Sequence, residues 1–276
     1  MSRTPELADP ATDPVQVARA AAAVLAEATG VDRHDVALVL GSGWSAGADR
    51  LGPTEASVDN TVVPGFRPAA VAGHAGTIRS VAIADTGRRA LVFGTRTHLY
   101  EGHGVRAVVH GIRTAAAAGC RVVVLTNGCG SLRPQWGPGT AVLLADHVNL
   151  TATSPLVGPT FVDLSDLYAV RLRELARTVD PTLPEGVYVQ FRGPQYETPA
   201  EVRMAQAIGG DLVGMSTTLE AVAARAAGLS VLGLSLVTNL AAGIATRPLS
   251  HDEVIDAGRA AAERCGHLLA GLLPLL

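Results

Sequence analysis

The segment GTRTHLYEGH, residues 94–103, follows the apolar run RALVF and sets Arg96, His98, Tyr100, Glu101 and His103 just beyond a buried strand. Turns ordinarily carry Gly, Pro, Asn, Asp or Ser for backbone geometry. This one carries long side chains able to hold an anion. In an extended segment alternate residues share a face, so Arg96, His98 and Tyr100 can point into one cleft. Two other segments offer anion contacts. In LGSGW (40–44) the glycines admit a ligand close to the backbone and Ser42 adds a hydroxyl, although a tight turn accounts for the same residues. In GMSTTLE (214–220), Thr217 and Glu220 have the spacing of a capping box, which places Ser216 at a helix N-terminus. Free N–H groups and the helix dipole favour an anion there. A capped helix explains GMSTTLE alone; joined to Arg96 and His98, it indicates a phosphate or carboxylate site. His74, in GHAG, is either a turn residue or a further polar wall.

A second set of residues suits a heterocycle. In GPQYETPAE (193–201), Thr198, Pro199 and Glu201 start a helix, which leaves Tyr196 and Glu197 unexplained. Glu197 can favour the helix dipole or accept from a ring N–H, with Tyr196 stacked on that ring. Thr238 and Asn239 end the apolar run LGLSLV. Asn there is a turn residue, or a side chain that both donates to and accepts from a heterocycle. Cys129 can border a ligand but has no paired base, and Cys120 and Cys265 read as small buried hydrophobes. His34, His110 and His267 lack a motif and are expected on the surface or on helix faces. The histidines show no HxH or HxxxH spacing, so no metal is assigned.

These residues need elements to position them. Residues 1–13 read as a flexible tail. Residues 14–29 read as a helix, with Asp13 as N-cap, Pro14 in the first turn and Gly30 past the end. Short apolar runs follow: DVALVLGSG, TIRSVAIAD, RALVFGTR, RVVVLTNG, TAVLLADHV, GVYVQFRG, DLVGMST and SVLGLSLVTN. Helical stretches are expected at 104–118, 166–179, 199–208, 218–227 and 251–273. Strands alternating with helices predict one α/β domain over 14–276, with a mixed, largely parallel central sheet flanked by helices. Most strands end in a small or polar burst, and ligands of open α/β sheets bind beyond the carboxyl ends of strands.

Composition narrows the chemistry. All 22 basic residues are arginine and there is no lysine, which removes Schiff-base chemistry and the GK[ST] phosphate loop. A net charge of −3 gives no basic field for nucleic acid. No apolar run reaches the roughly 20 residues that span a bilayer, and the polar first residues argue against a signal peptide. Three dispersed cysteines make no disulfide framework, so a cytoplasmic location is expected.

Taken together, the segments LGSGW, PGFRPAAVAGHAG, GTRTHLYEGH, TNGCGSL, DHVNL, GPQYET, GMST, SLVTN and LSHDEV resemble, in order and over nearly the whole chain, the trimeric class of purine nucleoside phosphorylases. The resemblance implies the phosphorylase/nucleoside hydrolase-like fold and a phosphate site on Ser42, Arg96, His98, the backbone N–H of Gly128 and Ser216, with His74 near phosphate and sugar. It implies ribose contacts from Tyr100, Met215 and His251, and a purine pocket of Cys129, Gly130, Tyr196, Glu197, Val213 and Asn239. Phe161 is implied to complete a neighbour's ribose pocket in a homotrimer. The implied reaction is reversible phosphorolysis of purine nucleosides for purine salvage, with phosphate as co-substrate, no cofactor, no protein nucleophile, and His98, Glu197 and Asn239 as the catalytic side chains. Asn239 in place of an aspartate favours 6-oxopurines, inosine and guanosine, over the substrates of the related methylthioadenosine phosphorylases. The chain departs from the family pattern where TNGCGSL replaces TNAAGGL, and at Arg247. A calcium-dependent nucleoside hydrolase would want an N-terminal DxDxxxDD, which is absent. A dinucleotide-binding module built on GSGWSAG leaves Arg96, His98, Glu197 and Asn239 unexplained.

Overall fold

The structure is a computed structural model that describes residues 7–70, 76–245 and 248–276. His74 and Arg247, and the side chain of His251, lie outside what is described. Helix α1 (Pro14–Thr29) begins where Asp13 accepts the N–H of Val15 and ends at Gly30 in the left-handed region, as the residue types predict. Strands β1 (Val36–Val39), β2 (Thr54–Asp59), β3 (Thr77–Ala82) and β4 (Arg89–Phe93) follow. The expected helix over 104–118 is two pieces, α2 (Gly104–Val108) and α3 (His110–Ala117). Then come β5 (Val122–Ser131), β6 (Ala141–Asn149), α4 (Val170–Val179) and β7 (Glu185–Gln190). The chain closes with α5 (Pro199–Ala207), β8 (Leu212–Gly214), α6 (Thr218–Ala226), β9 (Ser230–Leu240) and α7 (His251–Leu272).

The strands form one nine-stranded sheet in the order β2-β3-β4-β1-β5-β8-β7-β6-β9, and β9 pairs back with β5. Five strands, β5 to β9, thus return on themselves. Five of the nine pairings are parallel and four antiparallel, so the sheet is mixed. Strand alternation divides the core. Ala37 and Val39 of β1 face a cluster with Ala21 and Leu25 of α1, Ile112 of α3 and Leu219 of α6. Val36 and Leu38 face the opposite cluster, with Leu172 of α4 and Leu268, Leu269 and Leu272 of α7. Helices therefore cover both faces.

Several expectations need correction. Strand β2 carries the sequence TEASVD, mostly exposed and charged at two of six positions, so it gives little apolar signal. His34 is buried between α1 and β1, neither on the surface nor on a helix, whereas His110 does stand on a helix, as the first residue of α3, but is buried there. His34 Nε2 pairs with Ser80 Oγ at 3.0 Å, and His110 Nε2 donates to the Pro64 carbonyl at 2.8 Å. In the segment expected as a tail, Leu7 is buried against Val17 and Ala107, and Arg106 Nη1 donates to the carbonyls of Asp9 and Thr12. Among the described residues no helix is long and apolar enough to cross a membrane.

Candidate active site

The carboxyl ends of β1, β4, β5, β8 and β9 open on one cleft of about 730 Å³, counting its open mouth. Of the residues expected in a site, Ser42, Arg96, His98, Tyr100, Gly128, Cys129, Gly130, Tyr196, Glu197, Val213, Met215, Ser216 and Asn239 all line it. Asn127, Gly214, Thr238 and Val254 line it too.

One end of the cleft is built for an anion. Gly41, at the tip of β1, brings the backbone against β5. A Cβ there would sit 2.4 Å from the Thr126 carbonyl and 2.6 Å from Arg96 Nη1, so the close approach requires glycine. The approach is pinned by Gly41 N donating to Thr126 Oγ1 at 2.9 Å and by Trp44 Nε1 donating to the Asn127 carbonyl at 2.8 Å. Arg96 leaves the end of β4 and is almost wholly buried. Its Nε lies 3.1 and 3.2 Å from the two oxygens of Glu220, and its Nη1 donates to the Thr126 carbonyl. Its Nη2 is buried with no hydrogen-bond partner among the described residues. A buried donor without an acceptor is costly, of the order of 1–3 kcal/mol, and an anion in the cleft would remove that cost.

Beside it, residues 99–101 form a short 3₁₀ turn, not the extended run the alternation suggested. The turn folds His98 and Tyr100 together, ring centroids 4.7 Å apart and planes 11° from parallel, so both still face the cleft. Burial, then the Glu101 charge, raises the Tyr100 hydroxyl to about 12, which keeps it a neutral donor.

Ser216 sits where β8 enters α6. Thr217 N donates to Glu220 Oε2 at 3.0 Å, which bears out the capping-box spacing. Thr217 itself adopts φ +82°, which is rare for a β-branched residue. Such a conformation costs on the order of 1–3 kcal/mol and persists where neighbours over-determine it. Asn127 Nδ2 donates to Thr217 Oγ1 at 2.9 Å, and Ser235 Oγ donates to Asn127 Oδ1 at 2.8 Å. One residue on, Thr218 N and Oγ1 both donate to Gln190 Oε1. The turn is therefore tied to β5, β7 and β9.

The other end suits a planar ring with polar edges. Glu197 precedes α5, whose Thr198 and Glu201 cap it reciprocally at 3.2 and 2.7 Å. Glu197 is not needed for that cap. It is 7% exposed, its Oε1 has no partner among the described residues, and burial raises its carboxyl above the ordinary range. Across the cleft Asn239 donates to the Leu240 carbonyl at 3.0 Å, and its Oδ1 lies 2.9 Å from Thr238 Oγ1. An amide has two donor hydrogens and two lone pairs, so one of each remains for a ligand. Cys129 is wholly enclosed, and burial raises its thiol far above the usual value, so it is a wall and not a nucleophile.

Phe161 stands apart from this cleft and is 94% exposed. His251 opens α7, whose next turn brings Val254 to the cleft wall. The residues that sequence reasoning misses are the buried supports. Asn127 lies inside the TNGCG segment without standing out there, and capping alone accounts for Glu220. Their second partners are distant in sequence and leave no local signal.

This fold and this anion-plus-ring cleft define a phosphorylase. Residues 35–274 match the phosphorylase superfamily, and the chain belongs to that family. Its relatives narrow the comparison to one branch. It is 66% identical over 272 residues to the purine nucleoside phosphorylase of Cellulomonas sp, covering 98% of this chain and 96% of that one. It is 56% identical over 267 residues to the purine nucleoside phosphorylase of Mycobacterium tuberculosis, covering 97% and 99%. Among solved structures, the purine nucleoside phosphorylase of Schistosoma mansoni in complex with inosine superposes with a TM-score of 0.85 at 31% identity, over 95% of this chain and 96% of that one.

Proposed function

We propose that the chain catalyses the reversible phosphorolysis of 6-oxopurine nucleosides and deoxynucleosides, giving free base and (deoxy)ribose 1-phosphate in purine salvage. The observation that carries this reading is the pair of orphaned buried groups at opposite ends of one cleft, Arg96 Nη2 and Glu197 Oε1. One calls for an anion and the other for a donor.

In this reading Arg96, His98, Ser42, Ser216 and the Gly128 N–H hold phosphate, with His74 as a further contact. Tyr100, Met215 and His251 border the ribose. The purine lies between Tyr196 and Val213, with Cys129 and Gly130 beneath it. Breaking the C1′–N9 bond sends its electron pair into the purine, which takes up a proton, and leaves positive charge on the ribose. A phosphate oxygen then forms the new bond to C1′. Glu197 accepts N1–H and so orients the base, and Asn239 donates to the O6/N7 edge, a bond that strengthens as the base gains negative charge. Donors already in place where charge develops supply much of the rate enhancement in such sites, and losing one costs on the order of 10²–10³ in rate. The reaction uses no cofactor and no protein nucleophile.

The exposure of Phe161 supports a homotrimer in which it enters a neighbour's ribose pocket. Three free, buried cysteines fit a cytoplasmic enzyme. The deciding assay follows inosine, guanosine, adenosine and methylthioadenosine with and without phosphate. The expected result is phosphate-dependent release of hypoxanthine and guanine with adenosine nearly inert. Release without phosphate would mean a hydrolase, and brisk methylthioadenosine cleavage would move the chain to the neighbouring branch.

A further inference from the structure

Glu220 is a buried carboxylate outside the cleft lining, and it joins two separate parts of the anion site. Arg96 arrives from the end of β4, and the Ser216–Thr217 turn arrives from β8. The two carboxylate oxygens lie 3.1 and 3.2 Å from Arg96 Nε, and Oε2 also accepts Thr217 N–H at 3.0 Å. The Glu220 and Arg96 side chains are only 3% and 2% exposed, so water does not compete for these bonds.

The number of donors demands a carboxylate. Arg96 Nε and Thr217 N both donate, and an ionised carboxylate has only acceptor sites to offer them. A glutamine of the same length offers one oxygen and one NH₂, which sets a donor against one of those two N–H groups. With Nη1 on the Thr126 carbonyl and Nε on Glu220, the guanidinium fork is fixed at two edges, and Nη2 is what it has left. The same carboxylate helps hold Thr217 at its positive φ, and so holds Ser216.

We propose that Glu220 is a positioning residue for phosphate. It sets the Arg96 fork and the Ser216–Thr217 turn relative to each other, so that both meet the same anion. The proposal rests on the phosphorolysis reading of the cleft and deepens it.

The test compares Glu220→Gln and Glu220→Asp with the unaltered chain. KM is measured separately for phosphate and for inosine, and the rise in melting temperature is measured with phosphate alone and with hypoxanthine alone. For Glu220→Gln the expected result is a phosphate KM raised roughly ten-fold or more, as for a lost charge-assisted bond, with the inosine KM nearly unchanged. Phosphate should lose most of its effect on melting temperature while hypoxanthine keeps its own. Glu220→Asp, which retains two acceptor oxygens on a shorter arm, should fall between. If Glu220→Gln does not fold, Glu220→Asp carries the same two-substrate comparison. An unchanged phosphate KM in a folded variant, or two KM values rising together, overturns the proposal. So does failure of both variants to fold, which would make Glu220 a folding residue. Failure of the unaltered chain to release base with phosphate would instead remove the phosphorolysis reading, and it is seen before any variant is made.

Discussion

Glu101 Oε1 accepts two bonds from His98, one from its backbone N–H at 2.7 Å and one from ring Nδ1 at 3.0 Å. A carboxylate only accepts, so Nδ1 is the ring nitrogen that donates. Burial pushes the Glu101 carboxyl up, but the bonds and charge from His98 outweigh it and leave it below the ordinary range. The ionised Glu101 thus holds the imidazole in one orientation at the anion end of the cleft. Glu101→Gln is expected to lower kcat/KM for phosphate roughly ten-fold, the scale of one hydrogen bond to a charged group. Steady-state kinetics with phosphate varied checks this; an unchanged value removes Glu101 from the anion site.

Asn239→Asp should shift preference toward adenosine. An aspartate accepts from a 6-amino group and repels a 6-oxo group, so a correct pairing becomes an unpaired one. Sites that pair a polar group discriminate far more strongly than apolar pockets. The adenosine-to-inosine ratio of kcat/KM is expected to rise about ten-fold or more. No gain in that ratio would count against the assigned role.

The raised carboxyl of Glu197 sets a pH dependence. Only the carboxylate accepts N1–H, and the carboxylate is lost as pH falls through the raised value. Hypoxanthine affinity should therefore weaken at a less acid pH than an ordinary glutamate would dictate. Glu197→Gln should bind more weakly at neutral pH and lose this acid limb. Calorimetry of hypoxanthine binding from acid to neutral pH measures both, in a range where the base itself does not ionise. A flat profile in the unaltered chain would refute the assignment.

Phe161 offers a complementation experiment. Phe161→Ala alone should raise the nucleoside KM and leave the phosphate KM nearly unchanged. Glu197→Ala alone should be almost inactive. If Phe161 serves a neighbour, subunits of the two variants reassembled together contain some sites intact in every residue. Activity of the mixture above the sum of its parts is expected; strict additivity would place Phe161 outside any site.

His110 is a reporter of acid stability. Burial lowers its pKa from 6.5 to about 4. Above pH 6.5 both folded and unfolded states are neutral there and nothing is lost. Between 6.5 and about 4 the unfolded chain takes a proton that the folded chain refuses, so stability falls as pH falls. The loss between roughly pH 7 and pH 5 is about 2 kcal/mol from this group. His110→Gln, which keeps a donor for the Pro64 carbonyl, should show a shallower drop in urea stability over that range. Parallel curves would assign the acid sensitivity elsewhere.

Much of the site was legible because its residues stand at strand ends next to punctuation that a strand does not need. Arg96, Glu197 and Asn239 each follow an apolar run or precede a cap that other residues already complete. What stayed hidden depends on long-range closure. Strand β2 shows no alternation because it lies at the sheet edge and is mostly solvated. His34 and His110 carry no motif that marks them as buried, because the partners that bury them, Ser80 and Pro64, lie 46 positions away in each case. The positive φ of Thr217 has no sequence signature, since a β-branched residue is an unusual choice for that conformation.

The return of β9 onto β5 has a consequence for how such a protein can diverge. Strand β5 is held by β1, β8 and β9, and β9 by β5 and β6, so neither can bend without tearing a ladder. The rungs that carry Gly128, Gly130 and Asn239 belong to that locked frame. On that frame a substrate preference can change by exchanging single side chains while the scaffold stays as it is, much as type is reset in a fixed forme. The anion-gripping half can be inherited intact while the base-facing half is rewritten one residue at a time.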